Sequence, residues 1–219
     1  MKCTLLILFC FLPWVARSAE TENTSSDAGS VHVEPSSGGI EPGTVLTFTF
    51  PTSMIESALP GKVPVIRAMP NTPCSIGSGM TAVCKGKYAD AAQVALTCRM
   101  FDVVGRTVVV DEKHMDAVTG LSASGPAYIY IILESLAEAG VKVGLPRDIA
   151  TLLAAQTTLG AARVVLETGD HPALLKDAVT TPAGCTIDGI MELEEGKLRV
   201  TLIKAVVRAA QRAKELAFS

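Results

Sequence analysis

Aromatic residues are scarce in this chain: Phe, Trp and Tyr make up 5% of its 219 residues, although apolar residues make up 48%. A core with so few rings must be filled by Ala, Val, Leu and Ile, which favours closely packed helices or Val-rich strands over an aromatic-cored sandwich. Basic excess is missing as well. Lys and Arg total 19 against 22 Asp and Glu, giving a net charge of −3 with no basic stripe or polybasic tail, which argues against a nucleic-acid partner. The six cysteines, Cys3, Cys10, Cys74, Cys84, Cys98 and Cys185, form no C-x-x-C pair, and the three histidines, His32, His114 and His171, are scattered. No metal-binding set is expected from these residues, and the thiols read as free and mostly buried.

A glycine-rich phosphate cradle is also lacking. Gly77-Ser78-Gly79 is a lone G-x-G placed before a strand instead of before a helix, and the span from Gly120 to Gly125 lacks the Lys of a P-loop.

What is present at the N-terminus resembles a secretory leader. Met1-Lys2 is a short basic start, residues 4–14 are an apolar run, and Ala16-Arg17-Ser18 fits a small-x-small cleavage site. The run is too short to span a bilayer, so no membrane partner is expected. A sequon follows at Asn23-Thr24-Ser25, inside a Ser/Gly/Glu/Pro-rich stretch over 19–43 that reads as a disordered linker.

Beyond it, periodicity predicts a short strand over 45–50, a helix over 52–59 and a β-rich run over 63–69 ended by Pro70. A strand over 79–84, an amphipathic helix over 90–104 and a strand over 106–110 follow, as in the second half of an α/β sheet. After Glu112 only helices are expected: 126–139, apolar nearly all round and therefore buried; 146–167, uncharged between Asp148 and Arg163; then 172–177, 182–195 and 198–218. So long an uncharged stretch needs cover, and a second subunit is the natural one. The expected fold class is α/β followed by all-α, in four segments: leader-like 1–18, linker 19–43, a partial Rossmann-like domain over 44–112, and a helical domain over 113–219.

Two hydroxyl-rich turns stand out, Val118-Thr119-Gly120-Leu121-Ser122-Ala123-Ser124-Gly125-Pro126-Ala127 and Val179-Thr180-Thr181-Pro182-Ala183-Gly184-Cys185-Thr186. In each, Ser or Thr lies just before a Pro, which predicts a hydroxyl cap with Pro in the first helical position. Two helix starts of this kind would hold a small carboxylate between their unpaired N–H groups. Together with Arg67-Ala68-Met69-Pro70-Asn71-Thr72-Pro73 upstream, these segments resemble pyrroline-5-carboxylate reductase, whose patterns read approximately T-x-L-S-G-S-G-P-A and V-T/S-S-P-G-G-T-T. The likeness runs from about Thr52 to the C-terminus.

That resemblance implies a Rossmann-like domain followed by a helical dimerisation domain, and reduction of 1-pyrroline-5-carboxylate to L-proline with NADPH or NADH. It also implies a homo-oligomer, at least a dimer, and a cytoplasmic or mitochondrial setting, at odds with the leader-like segment. It assigns Met69, Pro70 and Asn71 to the cofactor, Thr186 and Ser122 to catalysis, and Thr181, Gly184 and Cys185 to the substrate, with no metal. Without the resemblance, Ser122 and Thr181 read as plain helix caps. The family's phosphate-binding half of the dinucleotide fold has no counterpart before residue 63. Thr181, Ala183 and Cys185 depart from its second pattern, and Ala183 is expected to be harmless because a place just inside a helix does not require positive φ. Two other readings remain open, a catalytically weak or silent oligomerisation module and a secreted protein of another role.

Overall fold

A computed structural model describes residues 6–9, 45–47 and 50–217. The linker over 19–43, the sequon and all of the leader-like segment except Leu6–Phe9 lie outside the described residues. Leu6–Phe9 is itself a strand (β1), paired in parallel with Val45–Thr47 (β2) on one edge and with Val65–Met69 (β3) on the other. The centre of the expected leader thus occupies an interior place in a sheet, which a removable leader would vacate.

The sheet has five strands in the order β2-β1-β3-β4-β5, completed by Gly79–Lys85 (β4) and Gly105–Val109 (β5). β3 and β4 run antiparallel, joined by a 3-10 turn over Thr72–Ile76, and β5 is parallel to β4. Every residue of β3 is buried, as a strand covered on both faces should be. Alternation sorts its side chains. Val65 packs against Ile55 of helix α1 (Thr52–Ala58), and Met69 packs against Ala82, Cys84 and Met115. Ile66 and Ala68 point to the other face, where helix α2 (Ala91–Asp102) contributes Val94, Cys98 and Phe101. A capping box starts α2: the Asp90 side chain accepts from the Gln93 N–H, and the Gln93 side chain accepts from the Asp90 N–H.

Arg67, the middle residue of β3, is a buried cation, with its side chain 4% exposed. Its Nη1 donates to Oε1 of Glu112 at 2.5 Å. The other carboxylate oxygen accepts from the Cys84 thiol at 3.1 Å and from the Thr52 N–H at 3.3 Å, so one side chain joins α1, β3 and β4. Burial alone would raise the Glu112 pKa. The Cys84 hydrogen bond, the Arg67 charge and the Thr52 N–H outweigh it and hold the carboxyl below its ordinary value. Burial, with the Glu112 carboxylate beside it, pushes the Cys84 thiol well up, so it remains a protonated donor.

After Glu112 come helix α3 (Met115–Val118), a π-helical turn over Thr119–Ala123, and α4 (Gly125–Lys142). Then follow α5 (Arg147–Thr168), α6 (Pro172–Ala178), α7 (Cys185–Glu195) and α8 (Leu198–Leu216), and no strand appears among the described residues of this part. The chain divides into two compact units, Met1–Pro126 with Ala205–Ser219, and Ala127–Lys204. Within the second unit the expectation of a buried helix over 126–139 is overturned. Only Ala137 of α4 is buried, and only Ala150 and Ala154 of α5, while Ile131, Leu152, Leu153 and Leu166 stand exposed. The apolar surface of α4 that periodicity assigned to a core faces outward in the single chain, as does that of α5, which is expected to need cover from a second subunit. α5 is also long and apolar enough, by length and composition, to cross a membrane.

Replacing Glu112 by Gln leaves the buried Arg67 cation without its counter-charge, and the expected cost is about 3 kcal/mol at neutral pH. Because the Glu112 pKa is lowered on folding, its contribution is present above the ordinary value of 4.5 and is lost as pH falls through the folded value. Urea titrations of wild type and Glu112→Gln should therefore converge in acid. A difference that persists unchanged there would rule out the charge as its cause.

Candidate functional site

In parallel sheets of this kind, ligands bind outside the carboxyl ends of the strands where the strand order reverses. Here β1 is flanked by β2 and β3, so that place lies beyond Phe9 and Met69. Met69 closes β3, Pro70 is buried, and Asn71 is the first partly exposed residue past the strand. The Asn71 amide is engaged on both sides. Its Oδ1 accepts from the Met80 N–H at 2.9 Å where β4 begins, and its Nδ2 donates to the Ser122 carbonyl at 3.3 Å. The structure thereby brings the 69–71 loop and the Ser122 turn together, a contact invisible in the sequence because 51 residues separate the two partners.

A dinucleotide would find donors and a stiff wall at this loop, but its phosphates need a glycine-rich turn after β1. Residues 10–18, Cys-Phe-Leu-Pro-Trp-Val-Ala-Arg-Ser, contain no glycine. The 69–71 loop offers polar groups for a nicotinamide, whereas residues 10–18 lack the glycines of a phosphate cradle.

The two hydroxyl-rich turns do not form as expected. The first is no free helix start. Residues 115–142 run on through the π turn, closed by the Ser124 N–H to the Thr119 carbonyl at 3.0 Å, so its amides are spent inside the helical run. Gly120 in this turn is buried against α8.

The second is a β-turn. The Gly184 N–H donates to the Thr181 carbonyl at 3.0 Å across Pro182 and Ala183, and α7 begins only at Cys185, with Gly184 as its cap residue. Pro182 therefore sits in the turn instead of at the first helical position, and no side chain caps the helix. Ala183 has φ of 58°, a correction to the expectation that this position does not require positive φ and that Ala is harmless there. A turn with Pro second and positive φ third favours Gly there, and the Ala side chain strains it. Gly184 is tight for a different reason: a Cβ there would lie 2.3 Å from the Thr181 hydroxyl, which would have to turn away.

Thr181 and Cys185 are exposed, Thr186 and Ser122 half-buried. Thr97, Thr119, Thr158, Thr180 and Thr201 each return their hydroxyl to the carbonyl four residues back. Among the described residues the hydroxyls of Ser122, Thr181 and Thr186 do not, which leaves them open to a ligand. Sequence reasoning missed Glu112 and the structural part played by Arg67. A lone Arg in an otherwise apolar strand was the signal that could have pointed to a buried partner.

Among known families, the chain matches the one described as pyrroline-5-carboxylate reductase dimerisation over residues 112–216. It is 42% identical to a pyrroline-5-carboxylate reductase of Arabidopsis thaliana over 214 residues, 98% of this chain and 74% of that protein, so the likeness extends well upstream of Thr52. It is 50% identical to the enzyme of that name from Glycine max over 151 residues, 69% of this chain and 55% of that protein. It also superposes on the crystal structure of Plasmodium falciparum pyrroline carboxylate reductase with NADP bound. There the TM-score is 0.73 at 31% identity, covering 79% of this chain and 70% of that one. The chain thus spans little more than half the length of the soybean relative.

Ala183→Gly should relieve the positive-φ strain and raise thermal stability by about 0.5–1 kcal/mol, the left-handed cost of Ala less the entropy of Gly. Ala183→Val should lower it. Equal melting temperatures for all three would show that this backbone is not under strain.

Proposed function

The chain belongs to the pyrroline-5-carboxylate reductase family, and from that premise we propose that it reduces 1-pyrroline-5-carboxylate to L-proline with NADPH or NADH, in proline biosynthesis. The observation that carries the reading is the turn over 181–186, where a close-packed Gly184 and two open hydroxyls, on Thr181 and Thr186, stand at the start of α7. The first N–H groups of an eleven-residue helix suit a small carboxylate without help from Arg or Lys.

In this reading residues 44–112 form the cofactor side and residues 113–219 the dimerisation and substrate domain. When bound, the nicotinamide supplies the hydride. Met69, Pro70 and Asn71 form the wall of its site. Thr181, Gly184 and Cys185 line the place of the substrate carboxylate, and the Thr186 hydroxyl hydrogen-bonds the ring nitrogen; Ser122 offers a catalytic hydroxyl beside the 69–71 loop. Once that nitrogen is protonated, its carbon accepts hydride directly while the C=N electron pair returns to nitrogen, giving a secondary amine. Such a reaction asks for positioning and exclusion of water instead of a metal or triad. Supply of reduced nicotinamide places it in the cytoplasm or a mitochondrion.

NADPH oxidation on adding the imine tests the reading, with turnover expected to be slow because the phosphate cradle is missing. A folded dimer that shows neither turnover nor cofactor binding would instead be a silent oligomerisation module.

Thr186→Ala should lose about ten- to a thousandfold in turnover, the scale of a hydrogen bond that counts in the transition state, while Thr186→Ser keeps most of it. Full activity in the nearly isosteric Thr186→Val would reduce Thr186 to packing.

The family's dimerisation domain also accounts for the apolar faces of α4 and α5, which a second copy would cover. Leu152 is 64% exposed in the single chain, so Leu152→Asp should spare the fold of one subunit. Sedimentation is expected to find wild type at least dimeric and the variant shifted to monomer. A monomeric, fully folded wild type would reject the homo-oligomer.

A further inference from the structure

The Ser122 turn is held from two directions by groups that reach it from elsewhere in the same compact unit. On one side lies Asn71, at the end of β3, with its amide shared between the Met80 N–H and the Ser122 carbonyl. On the other lies α8. A Cβ on Gly120 would stand 2.7 Å from the Val206 carbonyl oxygen and 2.8 Å from the Ala210 nitrogen, both backbone atoms of a helix that cannot yield as a flexible side chain would. The turn is π-helical, a geometry poorer in itself than the α-helix and found as short insertions often associated with function. External contacts of this kind supply the stability that its own hydrogen bonds lack.

We propose that Asn71 is a positioning residue, which sets the Ser122 turn at a fixed distance from the 69–71 loop, with Gly120 as the seat that lets the turn rest directly on the backbone of α8. The inference rests on the reductase reading for its catalytic consequence, though not for the brace itself. Hydride transfer tolerates little error in the approach of donor and acceptor, and misplacement on the ångström scale is costly. An amide serves both partners because it offers an acceptor to the Met80 N–H and a donor to the Ser122 carbonyl at the same time. Asp and Ala each lose at least one of the two.

Substitution can separate these roles. Asn71→Asp keeps an acceptor for Met80 but puts a carboxylate against the Ser122 carbonyl, Asn71→Ala removes both bonds, and Gly120→Ala pushes the same turn off α8 from the opposite side. Amide hydrogen exchange on the full chain reads the brace. Asn71→Asp should speed exchange over 119–124 by about tenfold and leave 79–85 as in wild type, Asn71→Ala should speed both, and Gly120→Ala should speed 119–124. In turnover assays each variant should lose about tenfold in kcat/KM for the imine, and Gly120→Ala, which leaves the 69–71 wall intact, should do so with the Kd for NADPH unchanged.

Wild-type exchange over 119–124 in Asn71→Asp would overturn the proposal, as would a loss of turnover in Gly120→Ala traced wholly to weaker NADPH binding. Loss of protection in all three variants extending through β3 would make Asn71 a general stabiliser and overturn it equally. If wild type lacks reductase activity, the reading of the function fails while the exchange measurements still decide the brace.

Discussion

The Arg67–Glu112 ion pair is the constraint on which the placement of the 69–71 loop and the segment leading into the Ser122 turn depends. Arg67 lies two residues before the end of β3, and Glu112 lies just ahead of the helical run that carries Ser122. Taking a guanidinium out of water costs several kcal/mol, and only a carboxylate with its own remaining lone pairs satisfied repays that cost. Cys84 and the Thr52 N–H satisfy them. The pair therefore ties the strand that ends in the 69–71 loop to the segment that leads into the hydroxyl-rich turn. Met115, fully buried against Met69, Ala82 and Cys84, packs the same junction with apolar surface.

Within that frame the two turns solve different problems. The Ser122 turn sits inside a helical run and is pinned by its neighbours, so it opens no new helix. The turn over 181–186 is a strained β-turn feeding a new helix, and no side chain caps the start of α7. Ala183 is the residue that makes this turn costly, since it holds a left-handed backbone that glycine would adopt freely. Strain of this sort concentrates at functional loops, where the surrounding structure can impose it.

The second compact unit shows why composition alone misplaces a core. α4 and α5 carry the apolar content expected of interior helices, yet in one chain they bury little beyond Ala137, Ala150 and Ala154. Small residues make close helix contacts, while the larger Leu and Ile side chains point outward. Exposed apolar faces of this kind mark interaction surfaces, in keeping with the dimerisation family that this part of the chain matches.

Much was legible in the sequence. Hydrophobic period placed β3, β4, β5 and helices α1, α2 and α5 within a few residues, because one-sided burial leaves its mark on alternation and on the 3.6-residue repeat. The two hydroxyl-rich turns and the loop after Met69 were equally plain, since Gly, Pro and Ser punctuate a chain locally. Other features depended on partners far away in sequence. Whether Leu6–Phe9 was a leader or a strand turned on the two strands that flank it. Whether the residues before Pro182 capped a helix turned on the sign of one φ angle, and the engagement of the Asn71 amide turned on a carbonyl 51 residues away. Period and punctuation are local properties of the chain, whereas sheet neighbours, buried counter-charges and backbone handedness are set only when distant segments compete for the same space.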